Sequence, residues 1–185
     1  MRFHPTCYYR AHEAAPREKR PALLAAVTDP EGRITGVQRT WLDPLGAGKA
    51  PIPAPRRALG HLLGNGVRFS AATNVLVAGE GIETVLSLKT VMPTFPMVAA
   101  LSTSHLAALV LPVTVERLYV ACDADAAGGR AFERLANRAR VQAIDVRPLR
   151  PVLADFNDDL RVLGAAALFE ALQVQIAPDD RARFV

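Results

Sequence analysis

The chain has 185 residues, of which 50% are hydrophobic and 22% are charged, and its formal net charge is +4. These values are typical of a globular protein with a buried core. No apolar run approaches the roughly 20 residues that a membrane-spanning helix needs, and the first residues lack the apolar segment of a secretion signal. We therefore expect a location in the cytoplasm.

The positive charge is concentrated near the N-terminus. Of the 22 Lys and Arg residues, 11 lie in residues 1–70, which hold only 5 of the 18 Asp and Glu residues. This imbalance indicates a surface that binds polyanions, although an unevenly charged, solvated surface is the alternative. The basic candidates for contact with nucleic-acid or triphosphate phosphates are Arg33, Arg39, Lys49, Arg56 and Arg57. Trp41 or Tyr8 could stack a base, although a single Trp is more often part of a core.

Residues 1–72 are predicted to form a basic subdomain that contains a β-hairpin. Residues 1–20 show no sustained period and are interpreted as an irregular leading segment. Runs of β-forming residues on both sides of a Pro- and Gly-containing turn at 29–32 predict the hairpin, and the Gly and Pro residues of 43–57 predict a loop. The sequence GAGKA in that loop lacks the first Gly and the Ser or Thr of a phosphate-binding P-loop, so no helicase motor is expected.

Residues 73–185 alternate between short apolar runs and helical stretches. The predicted strands are 74–78, 97–101, 116–122 and 141–149, and the predicted helices are 82–90, 104–111, 129–140 and 159–173. This alternation is typical of an α/β fold with a mostly parallel sheet and helices on both faces. In such sheets, ligands bind at the carboxyl ends of the strands.

Acidic side chains follow three of these strands. Glu80 follows the first, Asp123 and Asp125 follow the third, and Asp155 and Asp158 follow the last. Because the carboxyl ends of parallel strands meet at one edge, these side chains are expected to offer the oxygen ligands that Mg²⁺ or Mn²⁺ prefers. A metal placed there can polarise a phosphate. Each cluster alone could be ordinary turn chemistry, and Asp125 fits the N-cap position of the next helix.

The acidic pattern resembles that of the Toprim family, whose fold is shared by bacterial primases, type IA and II topoisomerases and certain nucleases. The family pattern is a Glu after the first strand and an Asp-x-Asp after the third, which Glu80 in GEGIET and the pair Asp123 and Asp125 in CDADAAGG match. The form GEGIET is similar to the corresponding motif of the primase branch, and the closest likeness is to Toprim proteins of phages, plasmids and integrated elements. The resemblance implies a catalytic role for these three acids.

The resemblance also implies roles outside that pattern. Asp155 and Asp158 would form the third acidic motif of primases and add metal ligands, and Thr103 would lie in a small loop near the site. In primases a Gly precedes that Thr, whereas this chain has Ser102. Arg130 lies near the start of the predicted helix whose N-terminal amides can hold a phosphate. Upstream, the basic subdomain of primases contains Gly-Arg-x-x-Gly, which residues 32–36 match.

Three functions follow from these features. The leading hypothesis is a metal-dependent nucleotidyl transferase that synthesises primers on single-stranded DNA from nucleoside triphosphates, using two divalent ions. The second is a Toprim-type nuclease. The third is a non-catalytic nucleic-acid-binding module that serves a helicase or another replication or conjugation protein, which the absence of zinc-ribbon and helicase motifs from the sequence favours.

Overall fold

The structure, a computed structural model, describes residues 1–46 and 48–184. Its N-terminal part is a four-stranded antiparallel sheet in the order β1-β2-β3-β4. The predicted hairpin corresponds to β2 and β3, and its turn closes through a 3.1 Å hydrogen bond from the Gly32 N–H to the Asp29 carbonyl. The four strands are β1 (Arg2–Tyr9), β2 (Glu18–Thr28), β3 (Ile34–Trp41) and β4 (Arg56–Gly60).

The interpretation of residues 1–20 as irregular was wrong, because they contain β1 and the first residues of β2. β1 lies at the edge of the sheet, and only two of its eight side chains are buried. An edge strand with so little buried surface lacks the apolar alternation that marks a strand in a sequence. Its backbone pairing with β2 holds it instead.

The predicted loop over 43–57 ends earlier than expected. Arg56 and Arg57 begin β4, which pairs antiparallel with β3 although most of its side chains are exposed. Ala47, within the predicted loop, lies outside the described residues. The difference has the same cause as at β1, since main-chain pairing rather than an apolar pattern defines an edge strand.

The C-terminal part contains a five-stranded sheet in the order β5-β7-β6-β8-β9, in which β5 is antiparallel to β7 and the other pairs are parallel. This arrangement confirms the predicted α/β class. The strands are β5 (Val67–Arg68), β6 (Val75–Gly79), β7 (Met97–Ala99), β8 (Arg117–Ala121) and β9 (Asp145–Leu149). The helical segments are α1 (Ile82–Val91), α2 (Thr103–Ala108), α3 (Ala126–Val141), α4 (Phe156–Asp158), a π-helical turn (Asp159–Leu163), α5 (Ala165–Gln173) and α6 (Pro178–Phe184).

Helices cover both faces of this sheet, as the sequence predicts. Val75 and Val77 of β6 pack with α1 and α5 on one face, whereas Leu76 and Ala78 pack with α2 and α3 on the other. Successive side chains of a strand point to opposite faces, so a strand covered on both sides must be apolar at every position. That requirement explains the unbroken apolar run of β6.

The N-terminal sheet packs against the C-terminal part through one of its faces. Ala25 and Val27 of β2 belong to the same buried cluster as Val77, and the backbone groups of Thr28 and Gly66 exchange hydrogen bonds of 2.9 and 3.2 Å. β5 precedes the predicted boundary at residue 72 in the chain but pairs with β7. The division into 1–72 and 73–185 therefore stays a prediction, and its last residue, Val185, lies outside the described residues.

The predicted helix over 159–173 is interrupted. Gly164 adopts a φ of +88°, a conformation that favours glycine, and it separates the π-helical turn from α5. In the described part of the chain, no helix is both long enough and apolar enough to cross a membrane.

Candidate metal centre

Glu80 lies directly after β6, at the carboxyl edge of the parallel strands. Its Oε2 accepts a hydrogen bond of 3.0 Å from the Thr103 hydroxyl, at the start of α2. Its carbonyl accepts a hydrogen bond of 2.7 Å from the Leu101 N–H, and Leu101 adopts a φ of +83° that is rare for a leucine. These contacts hold the loop between β7 and α2 against Glu80, and the structure thus places Thr103 beside that residue.

Asp123 and Asp125 follow β8 but have different surroundings. Asp125 is exposed and caps α3 by accepting a 2.6 Å hydrogen bond from the Gly128 N–H, so the N-cap interpretation holds for this residue. A Cβ atom at Gly128 would lie 3.0 Å from the Asp123 carbonyl oxygen, which explains a glycine there. Asp123 is half-buried, and its buried Oδ1 has no hydrogen-bond partner.

The loop after β9 brings Asp155 to the same edge. The Ala124 N–H donates to the Ala154 carbonyl at 3.1 Å, so the loops after β8 and β9 are joined beside Asp123. Asp155 caps α4 by accepting a 2.8 Å hydrogen bond from the Asp158 N–H. Both predicted acids of this loop are half-buried.

Asp159 is a residue of this loop that the sequence reasoning missed. Its side chain is fully buried and accepts hydrogen bonds of 2.8 and 2.7 Å from the N–H groups of Val152 and Leu153. It thereby fixes the segment that carries Asp155. Its burial could have been predicted from its position three residues after the apolar Phe156, because residues three apart lie on the same side of a helical turn. Phe156 is also fully buried.

The electrostatics show that the acids converge on Asp123. Burial raises the pKa of Asp123 to about 6, with further contributions in the same direction from the carboxylates of Glu80, Asp155 and Asp125. Asp158 is not among the groups that raise this pKa. Among the described residues, no Lys or Arg forms a salt bridge with any of these acids.

This donor set fits a divalent cation. Carboxylates that repel one another, with one buried oxygen unpaired and no salt bridge to a basic side chain of the described residues, are stabilised by a positive ion with a preference for oxygen ligands. Over residues 1–46 and 48–184, however, no three His, Cys, Asp or Glu side chains are arranged as a ready-made metal site. The acids share one edge without forming a complete ligand cage in this conformation.

Three of the predicted basic candidates are paired with acids. The Lys49 Nζ lies 2.8 Å from Glu83 Oε1, and an Arg56 Nη lies 3.5 Å from the other oxygen of the same carboxylate. Arg33 contacts Asp29 at 2.7 Å. Lys49 and Arg56 thus link the N-terminal part to α1, whereas Arg33 stabilises the hairpin turn.

The other two, Arg39 and Arg57, lie opposite each other on neighbouring strands and therefore share a face of the sheet. Their guanidinium carbons lie 5.2 and 5.9 Å from the ring centre of Trp41, which is 1% exposed. Arg56 precedes Arg57 on β4 and points to the opposite face. The predicted basic surface is therefore divided between two faces.

Arg130 lines a cavity beside the acidic edge. The cavity has a volume of about 250 Å³, and its lining includes Thr103, Ser104, Arg130 and Arg134. Thr103 therefore contacts Glu80 and borders a basic cavity at the same time. Sequence reasoning missed Arg134, although a spacing of four residues from Arg130 on one helix places both on the same face.

Comparisons with known proteins agree with this geometry. Residues 75–166 match the family model of the Toprim domain, and residues 1–69 match a model described as "Domain of unknown function (DUF7146)". No curated protein matches the sequence significantly.

Solved primase structures share the fold. The primase fragment of the bacteriophage T7 primase-helicase is 16% identical with a TM-score of 0.60, over 83% of this chain and 62% of that one. A DNA primase domain from Pseudomonas aeruginosa is 18% identical with a TM-score of 0.55, over 95% of this chain and 58% of that one. The chain thus spans less than two thirds of the length of either structure.

A third structure is a bacteriophage T7 complex, in which lagging-strand DNA polymerase interacts with primase domains bound to an RNA/DNA hybrid and dTTP. One of its chains is 17% identical with a TM-score of 0.59, over 83% of this chain and 78% of that one. At these identities the likeness concerns the fold alone. Together with the family match and the acids at the carboxyl edge, it shows that residues 75–166 form a Toprim domain whose fold is shared with primase structures.

Proposed function

We propose that this protein is a metal-dependent nucleotidyl transferase that synthesises primers on single-stranded DNA. The observation that carries the proposal is the buried, unpaired Oδ1 of Asp123, toward which Glu80, Asp125 and Asp155 direct negative charge. A buried carboxylate oxygen with no donor and no basic partner is costly unless a cation binds there. Toprim domains generally bind divalent metal ions, which matches this need.

The acids at the edge would hold Mg²⁺ or Mn²⁺. Glu80, Asp123 and Asp125 are the proposed catalytic ligands, with Asp155 or Asp158 as additional ones. Bound ions would supply a lowered pKa for an attacking 3′-hydroxyl and neutralise charge on the triphosphate.

Other residues would bind and orient the substrates. Thr103 fixes one oxygen of Glu80 and so orients that ligand. Arg130 and Arg134 line the adjacent cavity and would bind phosphate oxygens of the incoming nucleoside triphosphate. In this scheme the basic subdomain, residues 1–72, binds the template strand, and residues 73–185 hold the reacting groups.

The structural neighbours support this choice of substrates. The T7 primase domains were seen with an RNA/DNA hybrid and dTTP, in contact with a DNA polymerase, and the T7 primase fragment belongs to a primase-helicase. We propose single-stranded DNA and nucleoside triphosphates as ligands of this chain, and a helicase or another replication or conjugation protein of a mobile element as its partner.

One assay separates primer synthesis from the two other candidate functions. Single-stranded DNA is incubated with Mg²⁺ or Mn²⁺, with and without nucleoside triphosphates, and the products are resolved by size. We expect new oligonucleotides that require triphosphates. Shortening of the DNA would instead indicate a nuclease, and DNA binding without any product would indicate a non-catalytic module.

Two variants make the assay specific to the proposed centre. Asp123→Asn keeps the size of the side chain but removes its charge, so we expect no triphosphate-dependent product. Asp179→Asn changes an exposed acid at the start of α6 and should retain product formation. Equal activity of both variants would overturn the assignment of the centre.

A further inference from the structure

The four-stranded sheet has one face that does not pack against the C-terminal part. Ala25 and Val27 point into the shared core, so their neighbours along the strands point the other way. That opposite face, here called the outer face, carries Arg39 and Trp41 on β3 and Arg57 on β4. It has a small buried cluster of its own, to which Trp41 belongs.

A basic cavity opens on the outer face. Its volume is about 240 Å³, and among the described residues no carboxylate lines it. The lining consists of three aromatic residues and four arginines, namely Tyr8, Tyr9, Trp41, Arg10, Arg17, Arg39 and Arg57. Such a concentration of guanidinium groups without counter-charge is stabilised by an anion.

Two buried donors in this cavity lack acceptors. The Nε1 of Trp41 has no hydrogen-bond partner although Trp41 is 1% exposed, and the Nε of Arg39 is also buried and unpaired. Buried donors are nearly always satisfied in folded proteins, so an acceptor from a water or a ligand would stabilise both groups. A phosphate group carries the negative charge that suits the arginines and several oxygen acceptors.

Arg57 is held in place for such a ligand. Its guanidinium donates to the carbonyl oxygens of Arg10 and Ala11 at 2.6 and 2.9 Å, and it lies 5.0 Å from the ring centre of Tyr9. An arginine fixed by neutral carbonyls keeps its full positive charge and loses little side-chain entropy when an anion arrives.

Tyr8, the remaining aromatic residue of the lining, belongs to the opposite face of the sheet. It pairs with Lys19 of β2, whereas its neighbour Tyr9 packs with Trp41 on the outer face, and the Lys19 Nζ lies 5.8 Å from the centre of the Tyr8 ring. The outer face therefore recognises its ligand through the arginines, and a nucleic-acid backbone supplies a negative charge at every phosphate.

We propose that the outer face binds single-stranded nucleic acid, with a backbone phosphate in the arginine cavity. The inference rests on the proposed function, which identifies the bound strand as the template for primer synthesis. It assigns template binding to Arg39 and Arg57 rather than to Lys49 and Arg56, which are paired with an acid. The strand would follow a surface separate from the metal centre.

The test measures binding without metal, so that it is independent of catalysis. In the first titration, protein is added to a fluorescein-labelled oligothymidylate in EDTA, and the fluorescence anisotropy is recorded. In the second, unlabelled oligothymidylate is added to the protein, and the emission of Trp41, the single Trp of the chain, is recorded. We expect saturable binding with a matching change in Trp41 emission. We expect Arg39→Gln to weaken the affinity about tenfold or more and to lower the salt dependence by about 0.7 per lost phosphate contact.

Three variants control for surface charge and for folding. Arg140→Gln removes one exposed charge near the C-terminal end of α3, where the side chain donates a hydrogen bond to Asn137, and should leave binding within about twofold. Arg39→Lys keeps the charge but loses the planar fork and should give an intermediate affinity. Tyr8→Ala removes an aromatic ring from the opposite face of the sheet and should also leave binding within about twofold.

The outcomes separate the two proposals. Binding that is unaffected by Arg39→Gln, or that leaves Trp41 emission unchanged, would overturn the outer-face site even if primer synthesis is observed. Displacement of the oligonucleotide by poly-L-glutamate at equal charge concentration would also overturn it, in favour of an acidic protein segment. If the outer face binds DNA as expected but no primer forms, only the proposed catalysis fails.

Discussion

The Thr103 hydroxyl donates a 3.0 Å hydrogen bond to Oε2 of Glu80, and it thereby joins the loop after β7 to the loop after β6. One oxygen of Glu80 is held by this contact, which leaves the other free for a ligand. Thr103 also borders the cavity that contains Arg130. The contact connects the proposed metal ligands to the proposed triphosphate site.

Removing this contact should weaken metal binding. We expect Thr103→Val to reduce the affinity for Mn²⁺ or the rate of primer synthesis by about tenfold to a hundredfold, the usual effect of losing a group that orients a metal ligand. Thr103→Ser, which keeps the hydroxyl, should stay close to the parent protein. Isothermal titration with Mn²⁺ measures the affinity, and equal values for the Val and Ser variants would contradict the role assigned to Thr103.

A divalent cation should stabilise the fold through Asp123. A ligand that binds only the folded state stabilises it by about 2.7 kcal/mol at one hundred times its Kd. We expect Mn²⁺ to raise the melting temperature of the parent protein and of Asp179→Asn, but not that of Asp123→Asn. Thermal unfolding with Mn²⁺ and with EDTA measures this difference. An equal Mn²⁺ response in all three proteins would place the ion elsewhere.

The raised pKa of Asp123 predicts how pH acts on the metal-free protein. The folded-state pKa of about 6 lies above the ordinary value of 3.8, so the folded state binds this proton more tightly than the unfolded state does. The charged form therefore opposes folding above pH 6, and the penalty disappears as the pH falls toward about 4. We expect Asp123→Asn to be the more stable protein at neutral pH, with the difference in unfolding free energy narrowing across this range.

Denaturant unfolding in EDTA at several pH values measures that difference. Because a cation and the proton compete for the same carboxylate, Mn²⁺ affinity of the parent protein should fall as the pH drops through about 6. A difference between the two proteins that does not change with pH would show that burial does not raise the pKa of Asp123.

Asp159 should be important for stability, although it lies outside the acidic centre. Its side chain accepts two hydrogen bonds from backbone N–H groups of the loop after β9, and bonds to a charged acceptor contribute about 1.5–3 kcal/mol each. We expect Asp159→Ala to lower the free energy of unfolding by about 3 kcal/mol or more. Asp158→Ala, at the neighbouring position, should cost much less. Urea unfolding compares the two, and a smaller loss for Asp159→Ala would refute its structural role.

The Toprim half of the fold could largely be predicted from the sequence. The unbroken apolar run of β6 and the glycines on both sides of Glu80 are local features, and strand polarity then brings Glu80 and Asp123 to one edge whatever the details of packing. The same reasoning failed for β1, because an exposed edge strand is defined by its hydrogen bonds to β2 rather than by its own residue pattern.

Local sequence thus determined the order of the parallel strands β6 to β9 and the edge at which the acids gather, because period and strand direction are properties of short segments. Only the tertiary structure decided which charges remain available. In the sequence, all four basic residues of this region look alike. In the structure, however, Glu83 forms salt bridges with Lys49 and Arg56. Arg39 and Arg57 instead line a cavity that contains no carboxylate among the described residues. The difference arises because the pairing of two charges depends on their distance in space. A short segment of the sequence does not define that distance.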